Sequence, residues 1–497
     1  MDTRPRLRRS ARWISGMSAL LLTLAGLPAE AGPLAGEAGD LPMSQVVQEK
    51  VQAEPLAVLD LVVTYATQPG AFQRSRVELL GGSVEHSWAR IKAQAVRLPS
   101  SAVSELADDP NVVWVSLDAP VTNGLESAPG SHDATPAGVV LGDLAGAGVT
   151  VAVIDSGFST HPDIEGRVLA AVDFTGSSDA GDRWGHGTHV AGLIAGDGTA
   201  SDGLYRGVAP AASLVHLRVL DETGSGKTSD VISALDWVID HRAEFNIGVV
   251  NLSLGHPVFE PAALDPLVQA AELAWEAGVV VVCSAGNGGE TGFFTVTSPG
   301  NSSRVITVGA LTRGPAGGPD ADRVSPFSAK GPTPFDLFVK PDLIAAGEGI
   351  VSDRAPGSVL DTLHANRQVT ALGASEPEYF QLSGTGSATA TVAGTVAAVL
   401  SEKDPLPNPD TVKALLMGSA EAVAGLPYET GSGALAVAAV FSETGWTSRS
   451  PSPRVFVGDD GGITVEETAL TWSNEAWSTS ALWGESADWS RPFLGTE

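Results

Sequence analysis

The chain has 497 residues, 43% of them apolar and 18% charged, enough to bury a sizeable core across two or three domains. Its 58 acidic against 29 basic side chains give a formal charge of −29, which repels phosphate backbones and anionic lipid and so argues against a nucleic-acid or membrane-surface binder. With Cys283 as the single cysteine, no intrachain disulfide can form.

Residues 1–31 read as a secretory signal. Arg4, Arg6, Arg8, Arg9 and Arg12 precede an apolar stretch at 14–27, and Ala29-Glu30-Ala31 supplies small residues where a signal peptidase reads. A membrane anchor is the competing reading, but the stretch is short for a span. The expectation is export, to the exterior or the cell envelope, without stable membrane insertion once the signal is removed. Residues 32–54 are rich in Gly, Ala, Pro and Glu and read as a linker. A strand at 58–65, a helix at 71–80, a strand or hairpin at 84–98, a short helix at 100–107 and a strand at 112–117 then predict a small α+β domain. Residues 122–138 are again rich in Gly, Pro and Ser and mark a boundary.

From 139 to 440 continuous apolar runs alternate with helical patterns. The runs at 149–154, 214–220, 249–254 and 279–283 predict buried strands, and 188–196, 229–244 and 262–277 predict helices. Such alternation means an α/β fold, a parallel sheet covered on both faces. Ligands of such sheets bind beyond the carboxyl ends of the strands, so polar residues there are the candidates for chemistry.

Three segments stand out. Val153-Ile154-Asp155-Ser156-Gly157 ends a strand, Gly185-His186-Gly187-Thr188-His189 opens a helix, and Ser383-Gly384-Thr385-Gly386-Ser387-Ala388 leads into another. Asp, His and Ser are the parts of a nucleophilic triad, in which the carboxylate orients the imidazole and the imidazole takes the hydroxyl proton.

These segments, with Asn251-Leu252-Ser253-Leu254-Gly255, Ser284-Ala285-Gly286-Asn287, Thr297-Ser298-Pro299-Gly300-Asn301 and Lys340-Pro341-Asp342-Leu343, resemble the subtilisin-like serine proteases over residues 144–440. The resemblance implies a subtilisin-like parallel sheet with helices on both faces, preceded by a small α+β (ferredoxin-like) propeptide. It implies hydrolysis of peptide bonds through an acyl-enzyme, with Asp155, His186 and Ser387 as catalytic residues. Asn287 would stabilise the oxyanion, and Ser253, Leu254, Gly255, Ala285 and Gly286 would hold an extended substrate. The partners implied are a protein or peptide substrate and the chain's own propeptide as intramolecular inhibitor, with no nucleic acid. The domain expectation is signal at 1–31, linker and propeptide at 32–125, peptidase at 126–440 and a tail at 441–497.

One position departs from the family pattern. Both flanks align without a gap, so Gly386 falls on the nucleophile position and Ser387 one place later. On a helix one residue means about 100° of rotation and 1.5 Å of rise, which turns the hydroxyl away from His186 unless the turn bulges by a residue. Two readings stay open: an active endopeptidase with Ser387 as displaced nucleophile, and a pseudoprotease that binds peptides without cleaving them.

Smaller signals add little. Gly224-Ser225-Gly226-Lys227-Thr228 mimics the end of a phosphate-binding loop, but Asp221 stands where that motif needs glycine, so it reads as a surface turn. Asn251 and Asn301 open glycosylation sequons, the first on a buried strand. No cofactor is implied for the reaction. The resemblance admits a structural calcium with Asp163 as one ligand, although no full ligand set can be assembled. Cys283 reads as a buried strand thiol. Trp472, Trp477, Trp483 and Trp489 recur in the tail, which reads as a poorly ordered or surface-docked extension.

Overall fold

The computed structural model describes residues 41–123, 142, 145–177, 179–314, 322–457, 463–468 and 482. The signal segment, most of the 122–138 boundary and the four spaced tryptophans lie outside the described residues.

The N-terminal domain runs α1 (Gln45–Ala53), β1 (Val58–Tyr65), α2 (Ala71–Leu79), β2 (Ser83–Trp88), β3 (Ala93–Pro99), α3 (Val103–Ala107) and β4 (Val112–Leu117). Its four strands pair antiparallel in the order β2-β3-β1-β4. Leu61, Val63, Val77, Leu98, Val103 and Val115 close its core. α1 corrects the expectation of a linker through residue 54. Only Val47 of that helix is buried, so its apolar signature is weak. It is held by its start, where Ser44 N–H donates to Val115 O.

A short strand, β5 (Pro120–Thr122), follows. The larger domain then contains β6 (Thr150–Asp155), β7 (Val168–Asp173), α4 (His186–Ala195), β8 (Ser213–Arg218), β9 (Ser225–Lys227), α5 (Thr228–Phe245), β10 (Ile247–Leu252), α6 (Pro266–Glu276), β11 (Val280–Ser284) and β12 (Ile306–Thr312). β13 (Arg323–Val324), β14 (Leu343–Ala346), β15 (Ile350–Asp353), α7 (Val359–Leu363), β16 (Gln368–Val369), β17 (Tyr379–Leu382), α8 (Thr385–Glu402) and α9 (Pro409–Gly418) follow, with shorter pieces after them. The main sheet has the order β13-β12-β11-β10-β6-β8-β7, with β14 beside β12, and every pairing except β12–β13 is parallel. Val151 to Ile154 are all buried, as strands covered on both faces require. α4 and α8 pack together against the sheet, while α5 and α6 pair with each other and with β10 and β11. From Thr385 to Leu400 α8 is buried throughout, and its Ala, Gly and Thr side chains let it run close beneath the sheet.

One further expectation changes, and the start of the tail takes the docked form of its two readings. Residues 225–227 are a strand and not a surface turn, because β5 supplies their backbone partners. The first part of the tail is docked on the large domain. Val339 N–H donates to Pro453 O, Thr411 Oγ1 to Thr447 O, and Ser450 N–H to Asp410 Oδ1. Ser452 reaches a buried cluster in which Asp342 takes Lys340 at 2.7 Å and Lys413 at 3.2 Å. Among the described residues no helix is long and apolar enough to cross a membrane.

Candidate active site

Asp155 sits at the carboxyl end of β6, an interior strand between β10 and β8, where an open parallel sheet presents ligand-binding groups. Its carboxylate receives His186 Nδ1–H at 2.8 Å to Oδ1 and 2.9 Å to Oδ2. Both residues are 1% exposed. His186 is the first residue of α4 because Gly185 turns the chain at φ 107°, and a β-carbon at Gly185 would stand 2.4 Å from Ser358 Oγ.

A carboxylate that sequence reasoning did not single out fixes this turn. Asp182 Oδ1 accepts Ser156 Oγ–H and Gly185 N–H, and Oδ2 accepts Thr188 N–H and its hydroxyl, at 2.7–2.8 Å. The available signal was an acid four residues before a helix-opening histidine, where a capping carboxylate satisfies orphan amides. Burial lowers the affinity of His186 for a proton. The charge and hydrogen bond of Asp155, with the charge of Asp182, more than reverse this and raise its pKa above 6.5.

Opposite His186 stands Gly386, the second residue of α8. A β-carbon there would lie 3.2 Å from His186 Nε2, 3.2 Å from Ser253 Cβ and 3.4 Å from His186 Cε1. The side-chain direction of residue 386 is thus the one that meets the imidazole. Ser387 is the next residue of an unbroken helix, its N–H bonded to Gly384 O at 3.2 Å, and it is 2% exposed. No extra residue bulges from the turn between 384 and 387.

Asn287 follows β11. Its Oδ1 accepts both the N–H and the hydroxyl of Thr385 at 2.9 Å, so the amide oxygen is held and the NH2 end is left for a ligand. Thr385 Oγ1 also accepts Gly286 N–H at 3.2 Å. Ser253 Oγ donates to Gly386 O at 3.1 Å and accepts from Asn251 Nδ2 at 2.8 Å. Ala285 O receives Thr297 N–H. These bonds make one rigid rim from β10, β11 and the start of α8. Cys283 is buried within β11 just before that rim, its thiol pushed up to about 12 by burial.

The cleft holds the chain's own backbone. Thr122 and Gly255 exchange two N–H to O bonds, each 3.0 Å. On its other side β5 pairs antiparallel with β9, Pro120 facing Lys227 and Thr122 facing Ser225. β5 is therefore the middle strand between two elements of the large domain, and Val121 is fully buried there. The N-terminal domain adds Trp88 to Ser233, Trp114 to Glu260, Lys227 to Asp60, and an Arg90 fork to Asp236 and Asp240.

The expected calcium ligand Asp163 lies elsewhere, with His161 and Asp353 in a buried cluster. Asp163 already accepts Ala200 N–H at Oδ1 and Tyr379 O–H at Oδ2, both at 2.7 Å. Both Asp163 oxygens thus face donors and the third member is an imidazole where calcium takes oxygens, so these three side chains do not by themselves supply a calcium ligand set. His161 Nδ1 lies 3.2 Å from Asp353, a buried charge pair.

A family model described as the subtilase family matches residues 146–446. The serine protease AprX of Bacillus subtilis is 39% identical over 324 residues, covering 64% of this chain and 71% of that protein. Subtilisin E of Bacillus subtilis is 31% identical over 363 residues, covering 72% of this chain and 84% of that protein. Among solved structures, fervidolysin from Fervidobacterium pennivorans, described as a keratinolytic enzyme related to subtilisin, superposes with a TM-score of 0.64 at 22% identity. That match spans 84% of this chain but 64% of the fervidolysin chain, and it bears on the fold.

Proposed function

The chain belongs to the subtilase family of serine peptidases, and on that premise we propose that it is an exported subtilisin-like protein that holds extended peptide in its cleft without cleaving it. One observation carries this reading: the side-chain direction that meets His186 Nε2 belongs to Gly386, which has no hydroxyl to give. Acyl-enzyme chemistry needs a nucleophile about 3–3.5 Å from the reacting carbon, with its proton on the way to the imidazole. His186, Asp155 and Asn287 are the base, its orienting carboxylate and the oxyanion donor of a machine that lacks the attacking atom. Peptide holding survives this loss, because it rests on backbone pairing by Gly255 and β9.

In this reading residues 32–125 act as a propeptide-like domain whose last strand fills the cleft, and residues 1–31 direct export. A second reading keeps an active endopeptidase with Ser387 as nucleophile. It is favoured by the intact 2.8 Å Asp155–His186 bond, and it needs a one-residue bulge at the start of α8.

A fluorophosphonate probe decides between them. The folded full chain is expected to stay unlabelled. Labelling that disappears in Ser387→Ala would establish the displaced nucleophile and end the non-cleaving reading.

A further inference from the structure

The face on which the N-terminal domain docks is built around carboxyl groups. Glu260 is 5% exposed, and its Oε2 accepts Trp114 Nε1–H from β4 at 2.6 Å. The groups that face it are Trp114 and Ser116 from β4 and Asp265 at the start of α6, and none is a cation. Asp265 is 1% exposed, places Oδ1 on Leu267 N–H and Val268 N–H, and leaves Oδ2 without a hydrogen-bond partner.

A second patch lies at the start of α5. Asp118, just after β4, accepts Ser229 N–H and Ser229 Oγ–H, each at 2.8 Å. The neighbouring Asp230 faces Asp118, Asp173 and Lys227. The ammonium of Lys227 is shared with Asp60 at 3.2 Å, and Asp60 is also paired with Arg97 at 3.1 Å. The third patch, Arg90 with Asp236 and Asp240, is half exposed and contributes little pH dependence.

We propose that protonation of this carboxyl face gates the docking, so that acid holds residues 120–122 in the cleft and alkali releases them. The inference rests on the observed pairing of β5 and stands whether or not the site cleaves. Burial, helped by the charge of Asp265, raises Glu260 from 4.5 to about 8 in the docked state, against the bond from Trp114. Burial and the charge of Asp118 raise Asp230 from 3.8 to about 7. Parted from the domain, Glu260 loses much of the burial that raises it and moves back toward the ordinary carboxylate range. The docked state binds the extra proton. Docking is therefore fullest in acid and weakens as pH rises from the ordinary range through the raised values, by up to about tenfold per pH unit for each titrating group.

Hydrogen exchange on the full chain tests this, with rates corrected for their intrinsic pH dependence. The readout is the N–H of Thr122 and of Gly255, which bond across the cleft. Their protection is expected to fall roughly 10- to 100-fold between about pH 5.5 and 8.5, while the amides of β6 and β10 stay protected. Glu260→Gln keeps an acceptor for Trp114 and is expected to flatten the fall, and Asp230→Asn to reduce it in part. Equal falls in wild type and both variants, or no fall in wild type, overturn the proposal. Thr122 open at every pH would instead refute occupation of the cleft. The exchange readout requires no nucleophile, so it can fail or succeed whichever way the fluorophosphonate test falls.

Discussion

The Nε2 atom of His186 lies 3.2 Å from the place where a β-carbon on Gly386 would stand. That separation is tighter than most real side-chain contacts, so a serine at 386 asks the imidazole and Ser253 to give by a few tenths of an ångström. Gly386→Ser is expected to fold and to gain fluorophosphonate labelling. Removing such a nucleophile typically costs about 10⁶ in kcat, so a gain of several orders of magnitude over the wild type is the scale to look for. A folded Gly386→Ser that stays unlabelled would show that more than the hydroxyl has been lost.

The restored variant should also cut itself at a definite bond. Thr122 faces Gly255, and an antiparallel register advances by equal steps on both strands. Ser253, two residues before Gly255, is the one beside position 386. The expected cut is therefore between Gly124 and Leu125, read by intact mass and N-terminal sequencing, and it should vanish in the Gly386→Ser/His186→Ala double variant. A cut far from this bond would mean that β5 does not enter in the register seen here.

The pH profile of the restored variant follows from the environment of His186. The base must be neutral to take the serine proton, and Asp155 and Asp182 hold its proton more tightly than usual. Activity is thus lost as pH falls through a value above 6.5, and the acid limb of kcat/KM should sit higher than for a free imidazole. Asp182→Asn removes one charge and should shift that limb downward. An unmoved limb would assign Asp182 a purely structural part.

Asn287→Ala in the same background tests the oxyanion assignment. Loss of one such donor costs about 10²–10³ in kcat with little change in KM. A mere rise in KM would place Asn287 in substrate holding instead.

Asp342→Asn addresses stability. Asp342 balances two fully buried lysines, and burial already lowers Lys413 to about 7. Removing the charge leaves both uncompensated, a loss of about 3–5 kcal/mol measured by chemical denaturation. The docked start of the tail should loosen with it, because Ser452 Oγ donates to Asp342 at 2.6 Å.

What the sequence makes legible here follows from the range of the forces involved. Buried strands such as β6 and β10 announce themselves as apolar runs, and the residues closing those runs are chemically distinctive, so Asp155 and Asn251 stand out. His186 is marked by the glycines on either side of it. By contrast, α1 has one buried side chain and composition like a linker. β5 is three residues long, begins with proline and takes its partners from more than a hundred residues away, so no local period reveals it. β9 is hidden for the same reason, as Ser-Gly-Lys reads as a turn until a strand lies beside it. Asp182 carries four hydrogen bonds that depend on the fold of Ser156 and Thr188 around it. The meaning of Gly386 needed both levels: the alignment of flanks raises the question, and the direction of its missing side chain toward His186 gives it geometry.

The cap on α5 has a consequence for the order in which this protein must be made. The residue preceding that helix, Lys227, places no side chain on its free amides, and Asp118 from the other domain does so. Asp118 leaves the ribosome more than a hundred residues ahead of the helix it completes. The first turn of α5 and the two strand edges that flank β5 thus find their partners already waiting as they emerge. A shortened chain beginning after residue 123 would expose a frayed helix start and two open edges together, the combination that drives chains to stick to one another.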